Sequence, residues 1–334
     1  LIMYIKDRTN MKFRIFFSAA VVASMVFGGL TSCDTDTEAN TVQGLKTYDE
    51  QYYKNLRAYK KSDHEICYVY YQNWAPLEGV EGSKDPASWG ERLVGLPDSL
   101  DICNLWIGIP TPETHPVAYA DMRYCQEKLG TRFVFHADAS NWNHAVWYRD
   151  ENMNVDQNTI VDLREDRSEE ALRAYARWAV DTVVKCGLDG VDFDYEGWDS
   201  NSMYIVADEC NKYFGPEGKW AEKLFMIDYF GRSPGDNCEP YCDYLIKQAY
   251  SGQGATGMGA PAGWPEEKHL YIEAFHQKPD GGMIWNYARW EPAKGHKGGV
   301  GSYSTRFNYN QSKNGQPYQA LREAIQIMNP ALNK

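Results

Sequence analysis

"GLDGVDFDYEGW", residues 187–198, sets Asp192, Asp194 and Glu196 on alternate positions, with Val191, Phe193 and Tyr195 between them. Side chains of a strand point alternately to its two faces, so the three carboxylates share one face and the apolar residues share the other. Carboxylates are costly among apolar neighbours, which marks this face as one put to use. Successive members lie ~6–7 Å apart, two residues of strand rise. Charges that close in a partly dry site do not all ionise; some share protons, and a carboxylic acid kept neutral near pH 7 serves as a general acid.

Upstream, "SEEALRAYARWAVDTVVKCG" (168–187) repeats Leu172, Ala176, Ala179, Val180, Val183 and Val184 at helical spacing, with Asp166 or Ser168 to cap its start and Gly187 to end it. "ALREAIQIMN" (320–329) reads as a closing helix. Apolar runs of strand length recur at 65–74, 100–108, 132–138, 188–196, 223–231, 244–252, 269–275 and 282–287. They are continuous rather than alternating, as in parallel strands covered on both sides. Eight strands alternating with helices, and no glycine-rich dinucleotide loop, predict an α/β fold of the (β/α)8 TIM-barrel type over an open doubly wound sheet. The acidic face then points into the barrel, and its last residues reach the C-terminal rim, where such barrels carry their sites.

Asp189-Gly-Val-Asp192-Phe-Asp194-Tyr-Glu196 resembles the Asp-Gly-x-Asp-x-Asp-x-Glu signature of glycoside hydrolase family 18, with every position filled and at the fourth strand. The resemblance implies a retaining glycosidase in which the substrate's own 2-acetamido group is the nucleophile. It implies Glu196 as acid and base, Asp194 as the group that orients the acetamide, Asp192 as the partner that shares its proton, and Asp189 as structural support. Strand-end solvation or calcium binding is the other reading of Asp189 and Asp192. Tyr250, two residues beyond Gln248 on the same strand face, resembles the tyrosine that contacts the acetamide carbonyl; Trp285 resembles the eighth-strand tryptophan that floors the sugar site. Either ring also reads as a packed core residue. Tyr71 and Trp74 at the end of the first strand, and Trp198 beside the acid, are further substrate-binding candidates, and Trp142 and Trp147 lie in a long polar loop after the third strand. One departure stands out. The third strand of many members ends in Ser-x-Gly-Gly, whereas "VFHADAS" here supplies His136 and Asp138, of which Asp138 is a candidate polar contact.

The span between Phe275 and Met283 leaves no room for the small domain that one branch of chitinases inserts after the seventh strand. This compactness is similar to the endo-β-N-acetylglucosaminidases that cut the GlcNAc-β1,4-GlcNAc core of N-glycans. A chitinase acting on GlcNAc polymers, and a glycan-binding protein on the same barrel, are the alternatives; the presence of Glu196 speaks against the second.

"MKFRIFFSAAVVASMVFGGLTSC" has a basic start, an apolar run and small residues before Cys33, the pattern of a secretory signal; the run is short for a membrane span. "LTSC" resembles a lipobox, which implies a lipid on Cys33, a membrane anchor, and an outer-membrane, cell-surface location. The expected division is a signal at 1–32, a polar tether at 33–60 and the barrel at 61–334. A formal charge of −12 argues against a nucleic-acid partner, which needs a basic footprint. Eight cysteines, less Cys33, leave an odd number. Cys67, Cys103 and Cys186 read as buried thiols, and Cys238 and Cys242 are close enough in sequence to pair. No spacing suits a metal, no cofactor is implied, and a monomer acting on a glycan is expected.

Overall fold

The computed structural model describes residues 47–71, 92–252, 257–311, 313 and 316–331. Cys33 and Trp74 lie outside them. No helix among the described residues is long and apolar enough to cross a membrane.

The described chain begins on helix α1 (Glu50–Tyr59), capped by Asp49, with Tyr53 buried. These residues fall in the expected tether, so the folded unit starts earlier than residue 61. There follow β1 (Ile66–Tyr71), β2 (Ile102–Leu105), α2 (Pro116–Tyr124), β3 (Arg132–Asp138), β4 (Ala145–Arg149), β5 (Val155–Asp162), α3 (Glu169–Lys185), β6 (Gly190–Tyr195) and α4 (Ser200–Phe214). The chain continues through β7 (Leu224–Tyr229), β8 (Tyr244–Gln248), β9 (His269–Ala274), α5 (Ile284–Arg289), β10 (Gly299–Tyr303) and α6 (Gln319–Met328). A closed parallel barrel runs β1-β10-β9-β8-β7-β6-β3-β2. The TIM-barrel expectation is met.

Strand alternation splits the apolar residues into two cores. Tyr68, Tyr70, Ile102, Val134, Met226, Ile246 and Ile272 fill the barrel. Cys67, Val69, Tyr71, Cys103, Phe133, Val191, Phe193 and Ile227 pack outward against the helices. Helix α3 is capped by Ser168, whose side chain accepts from the Ala171 amide. All seven described cysteines are free thiols, Cys238 and Cys242 included.

Two expectations fail here. The long loop after β3 contains the antiparallel hairpin β4–β5, with Trp147 opposite Ile160. It is fastened to α3 by Arg149 Nε donating to Asp181 at 2.7 Å. Residues 282–287, expected as the eighth strand, instead lead into α5, where Ile284, Tyr287 and Ala288 are buried at helical spacing. The eighth strand is β10, "GVGSY", which closes the barrel by pairing Gly299 with Ile66 and Gly301 with Tyr68. Its glycines hide it from a strand reading, yet the closure needs them. A Cβ at Gly299 would stand 1.9 Å from the Ile66 carbonyl oxygen, and one at Gly301 would stand 1.7 Å from that of Tyr68.

Gly301→Ala is therefore expected to force β1 and β10 apart, at a cost of about 1–3 kcal/mol or more. Thermal melting measures it, and an unchanged melting temperature would contradict the account of closure.

Candidate active site

The acidic face of β6 grades from dry to wet. Asp192 is fully buried, Asp194 is half-buried and Glu196 is exposed at the rim. Asp192 Oδ2 accepts from the Tyr68 hydroxyl at 2.5 Å and from Asn104 Nδ2 at 2.9 Å. Asp194 Oδ1 accepts from Gln248 Nε2 at 3.0 Å. The same amide donates at 2.5 Å to Asp228 Oδ1. Asp228 belongs to β7, directly across from Asp194 in the strand register. His136 of β3 stands beside them, its Nε2 3.8 Å from Asp194 Oδ2.

Burial dominates the protonation of this cluster. It lifts Asp192 to about 6, against the hydrogen bonds from Tyr68 and Asn104. Burial, then the charge of Glu196, lifts Asp194 to about 7. Asp228 is pushed well above the ordinary carboxylate range by burial and by Asp192 and Asp194. Burial lowers His136 to about 4, so the ring is neutral at neutral pH and offers no counter-charge. His136, Asp192 and Asp228 each present one ligand atom within 4.8 Å of the others, a spacing a cation can use. Protons shared between the carboxyls satisfy the same atoms.

Above the cluster opens a cavity of about 230 Å³ lined by His136, Asp194, Glu196, Asp228, Gln248 and Tyr250, with Tyr70, Trp106 and Tyr303 as its further rings. That volume is below the about 300–1,000 Å³ of drug-sized pockets and is the size of a single ring rather than of an oligomer. Tyr250 sits just past β8 with φ 32°, and Ser251 follows at φ 57°. Such backbone persists only where the surroundings hold it. Here the buried Glu273 carboxylate does so: it accepts from Ser251 Oγ at 2.9 Å, the Ala274 amide at 2.7 Å and the Met283 amide at 2.6 Å.

The structure thus brings together Asp192, Asp194, Glu196, Gln248 and Tyr250. Asp189 lies at the other end of β6, where Oδ2 accepts from the Phe133 amide at 2.9 Å and from Gln126 at 2.7 Å, a strand-fastening role. Four candidates are corrected. Trp285 is on α5, outside the barrel, with its indole N–H on Glu323 of α6 at 2.9 Å. Tyr71 packs in the outer core, and its neighbour Tyr70 faces inward instead. Trp198 is buried, donates to the Asn141 carbonyl at 2.7 Å and stacks on Trp142 at 4.5 Å. Asp138 is spent on a turn, accepting from Ser140 and Asn141 at 2.6 Å, while His136 takes the place on the cavity wall. The residues missed are Asp228, Asn104 and the rings Tyr70, Trp106 and Tyr303. Asp228 did leave a signal: it is the lone acid in the apolar run "LFMIDYF".

The family description "Glycoside hydrolase family 18, BT1044-like" matches residues 34–259. This chain belongs to glycoside hydrolase family 18. A curated relative, endo-β-N-acetylglucosaminidase F2 of Elizabethkingia meningoseptica, is 27% identical over 318 residues, covering 83% of this chain and 85% of that protein. A solved structure of a BT1044 variant superposes with a TM-score of 0.64 at 20% identity, covering 84% of this chain and 93% of the other. An endo-β-N-acetylglucosaminidase from Cordyceps militaris superposes with a TM-score of 0.60 at 20% identity, covering 86% and 98%. At these identities the structures show that the family 18 barrel is shared.

A carboxylate whose folded-state affinity for protons is raised favours the folded protein while it stays protonated. Stability from Asp192 and Asp194 is thus full below the ordinary value of 3.8 and is lost as pH rises through about 6 and about 7. Asp192→Asn, which cannot ionise, is expected to raise the melting temperature relative to wild type more at pH 8 than at pH 4. Melts across that range check the sign; a gain confined to acid pH would contradict it.

Proposed function

We propose that this chain is an endo-β-N-acetylglucosaminidase that hydrolyses the GlcNAc-β1,4-GlcNAc core of N-glycans. The observation that carries the reading is the graded ladder, buried Asp192, half-buried Asp194 and exposed Glu196, beneath a cavity walled by Gln248 and Tyr250. Support for the N-glycan core over chitin comes from the 27% identical relative, itself an endo-β-N-acetylglucosaminidase.

In this reading the sugar on the non-reducing side of the scissile bond enters the cavity with its acetamide turned down toward Asp194 and Tyr250. The acetamide oxygen attacks the anomeric carbon as the bond to the leaving oxygen breaks, and Glu196 gives that oxygen its proton. Exposure at the rim suits Glu196 to this, because leaving group and water both approach from the solvent side. Ionised Asp194 accepts the acetamide N–H and offsets the positive charge of the oxazolinium ion. Tyr250 donates to the acetamide carbonyl oxygen. Water then adds to the anomeric carbon and returns a proton to Glu196, so the enzyme ends as it began with overall retention. The sugar face packs against Tyr303, which ends the true eighth strand and takes the part expected of Trp285.

Digesting a glycopeptide that bears an intact N-glycan is expected to leave one GlcNAc on the peptide, read by mass. Glu196→Gln is expected to lower kcat by ~10²–10⁴-fold with the fold retained. Cleavage of chitin oligomers with an untouched glycopeptide would replace the reading by chitinase. Wild-type turnover in Glu196→Gln would remove Glu196 as the acid.

A further inference from the structure

Asp228 lies outside the Asp-Gly-x-Asp-x-Asp-x-Glu run, yet it is as enclosed as Asp192. It is fully buried on β7, level with Asp194. Its Oδ1 takes the Gln248 amide, while its Oδ2, like Asp192 Oδ1, is buried with no hydrogen-bond partner. Its carboxyl nevertheless has an oxygen within 4.8 Å of one of Asp192, and it shares the Gln248 amide with Asp194. Two ionised carboxylates this close repel, and a proton on one turns the repulsion into a hydrogen bond.

The surroundings supply no other remedy. Tyr68 of β1 and Asn104 of β2 are both turned to Asp192 Oδ2. Gln248 of β8 divides its amide between Asp194 and Asp228. The Tyr70 hydroxyl of β1 is buried without a partner, and His136 of β3 is neutral. Tyr250, Tyr303 and Glu196 also face the cluster, Asp138 adds a further acid near Asp194, and no lysine or arginine is among the residues lining the cavity. Three carboxyls in contact with no cation cannot all be charged.

We infer that Asp228 is a positioning residue that keeps a proton and donates it in a hydrogen bond to Asp194, fixing Asp194 as the ionised member beneath the sugar. The inference rests on the role given above to Asp194. Of the two fully buried carboxyls the proton sits on Asp228, because Asp192 Oδ2 already accepts from Tyr68 and Asn104 while Asp228 Oδ2 has no donor to offset a charge. A neutral Asp228 donates to Asp194 without adding to the negative field that Asp194 already meets from Asp192 and Glu196. Substrate need never touch it: Asp228 acts through Asp194, and Gln248 holds both in one geometry.

Asp228→Ala removes the donor, and Asp228→Asn supplies a permanently neutral one. With the N-glycopeptide as substrate, Asp228→Ala is expected to lower kcat about 10–100-fold, the worth of one hydrogen bond to a charged group, with KM little changed. Loss of the donor disfavours ionised Asp194, so the acid limb of the kcat profile moves to higher pH, by about one unit. Asp228→Asn is expected to recover most of the lost kcat and to move the limb back. An Asp228→Asn variant as impaired as Asp228→Ala, with the limb unmoved in both, would overturn the inference and leave Asp228 a space-filler. A second measurement needs no turnover: infrared spectra of wild type at neutral pH should show the carbonyl stretch of a buried protonated carboxylic acid, and Asp228→Asn should lose it. Persistence of that band in folded Asp228→Asn would place the proton elsewhere and overturn the inference. If wild type leaves the glycopeptide intact, the proposed function fails, and the infrared result alone decides where the proton lies.

Discussion

Everything at the barrel mouth follows from crowding three carboxyls, Asp192, Asp194 and Asp228, where no cation stands among the residues lining the cavity. Parallel register makes the crowding unavoidable: β6 and β7 pair with Asp194 level with Asp228, and β3 brings His136 level with Asp192. The neighbours are what such a cluster requires. Tyr68, Asn104 and Gln248 donate, His136 stays neutral, and protons are shared. The exposed end of the ladder, Glu196, is left to exchange protons with whatever the cavity holds.

The same chain shows the other way to bury a carboxylate. Glu209 of α4 is fully buried, but Arg173, Arg177 and Lys212 all lie within 3.0 Å of its oxygens. Burial pushes its proton affinity up, and these cations more than offset it, so it lies below the ordinary range. That group joins α3 to α4. Asp192, Asp194 and Asp228 receive no such compensation, and their proton affinities rise instead. Uncompensated burial separates a site from a strut, and strongly perturbed acids in a cleft are where chemistry is sought.

Much of this was legible in residues 187–198, because strand alternation fixes which side chains share a face before any fold is known. Helix α3 was legible for the corresponding reason at helical period. What stayed hidden depends on long-range register. Tyr70 and Tyr71 are equivalent as letters, and only the pairing of β1 with β10 and β2 settles which enters the barrel. Strand β10 was missed because Gly299 and Gly301, which allow that pairing, remove the strand signal. Its loss carried Tyr303 with it and gave the sugar floor to Trp285, a residue of the outer helices. Asp228 was visible as an isolated acid, but its meaning comes from the neighbouring strand.

The central claim is that this carboxyl cluster serves a substrate that supplies its own nucleophile. Two glycosides differing only at carbon 2 of the sugar that enters the cavity, one with acetamide and one with hydroxyl, test it most directly. The account predicts steady hydrolysis of the first and none of the second, even where the second binds. Turnover of the hydroxyl glycoside, with a covalent sugar adduct on Asp194 found by mass spectrometry, would contradict it.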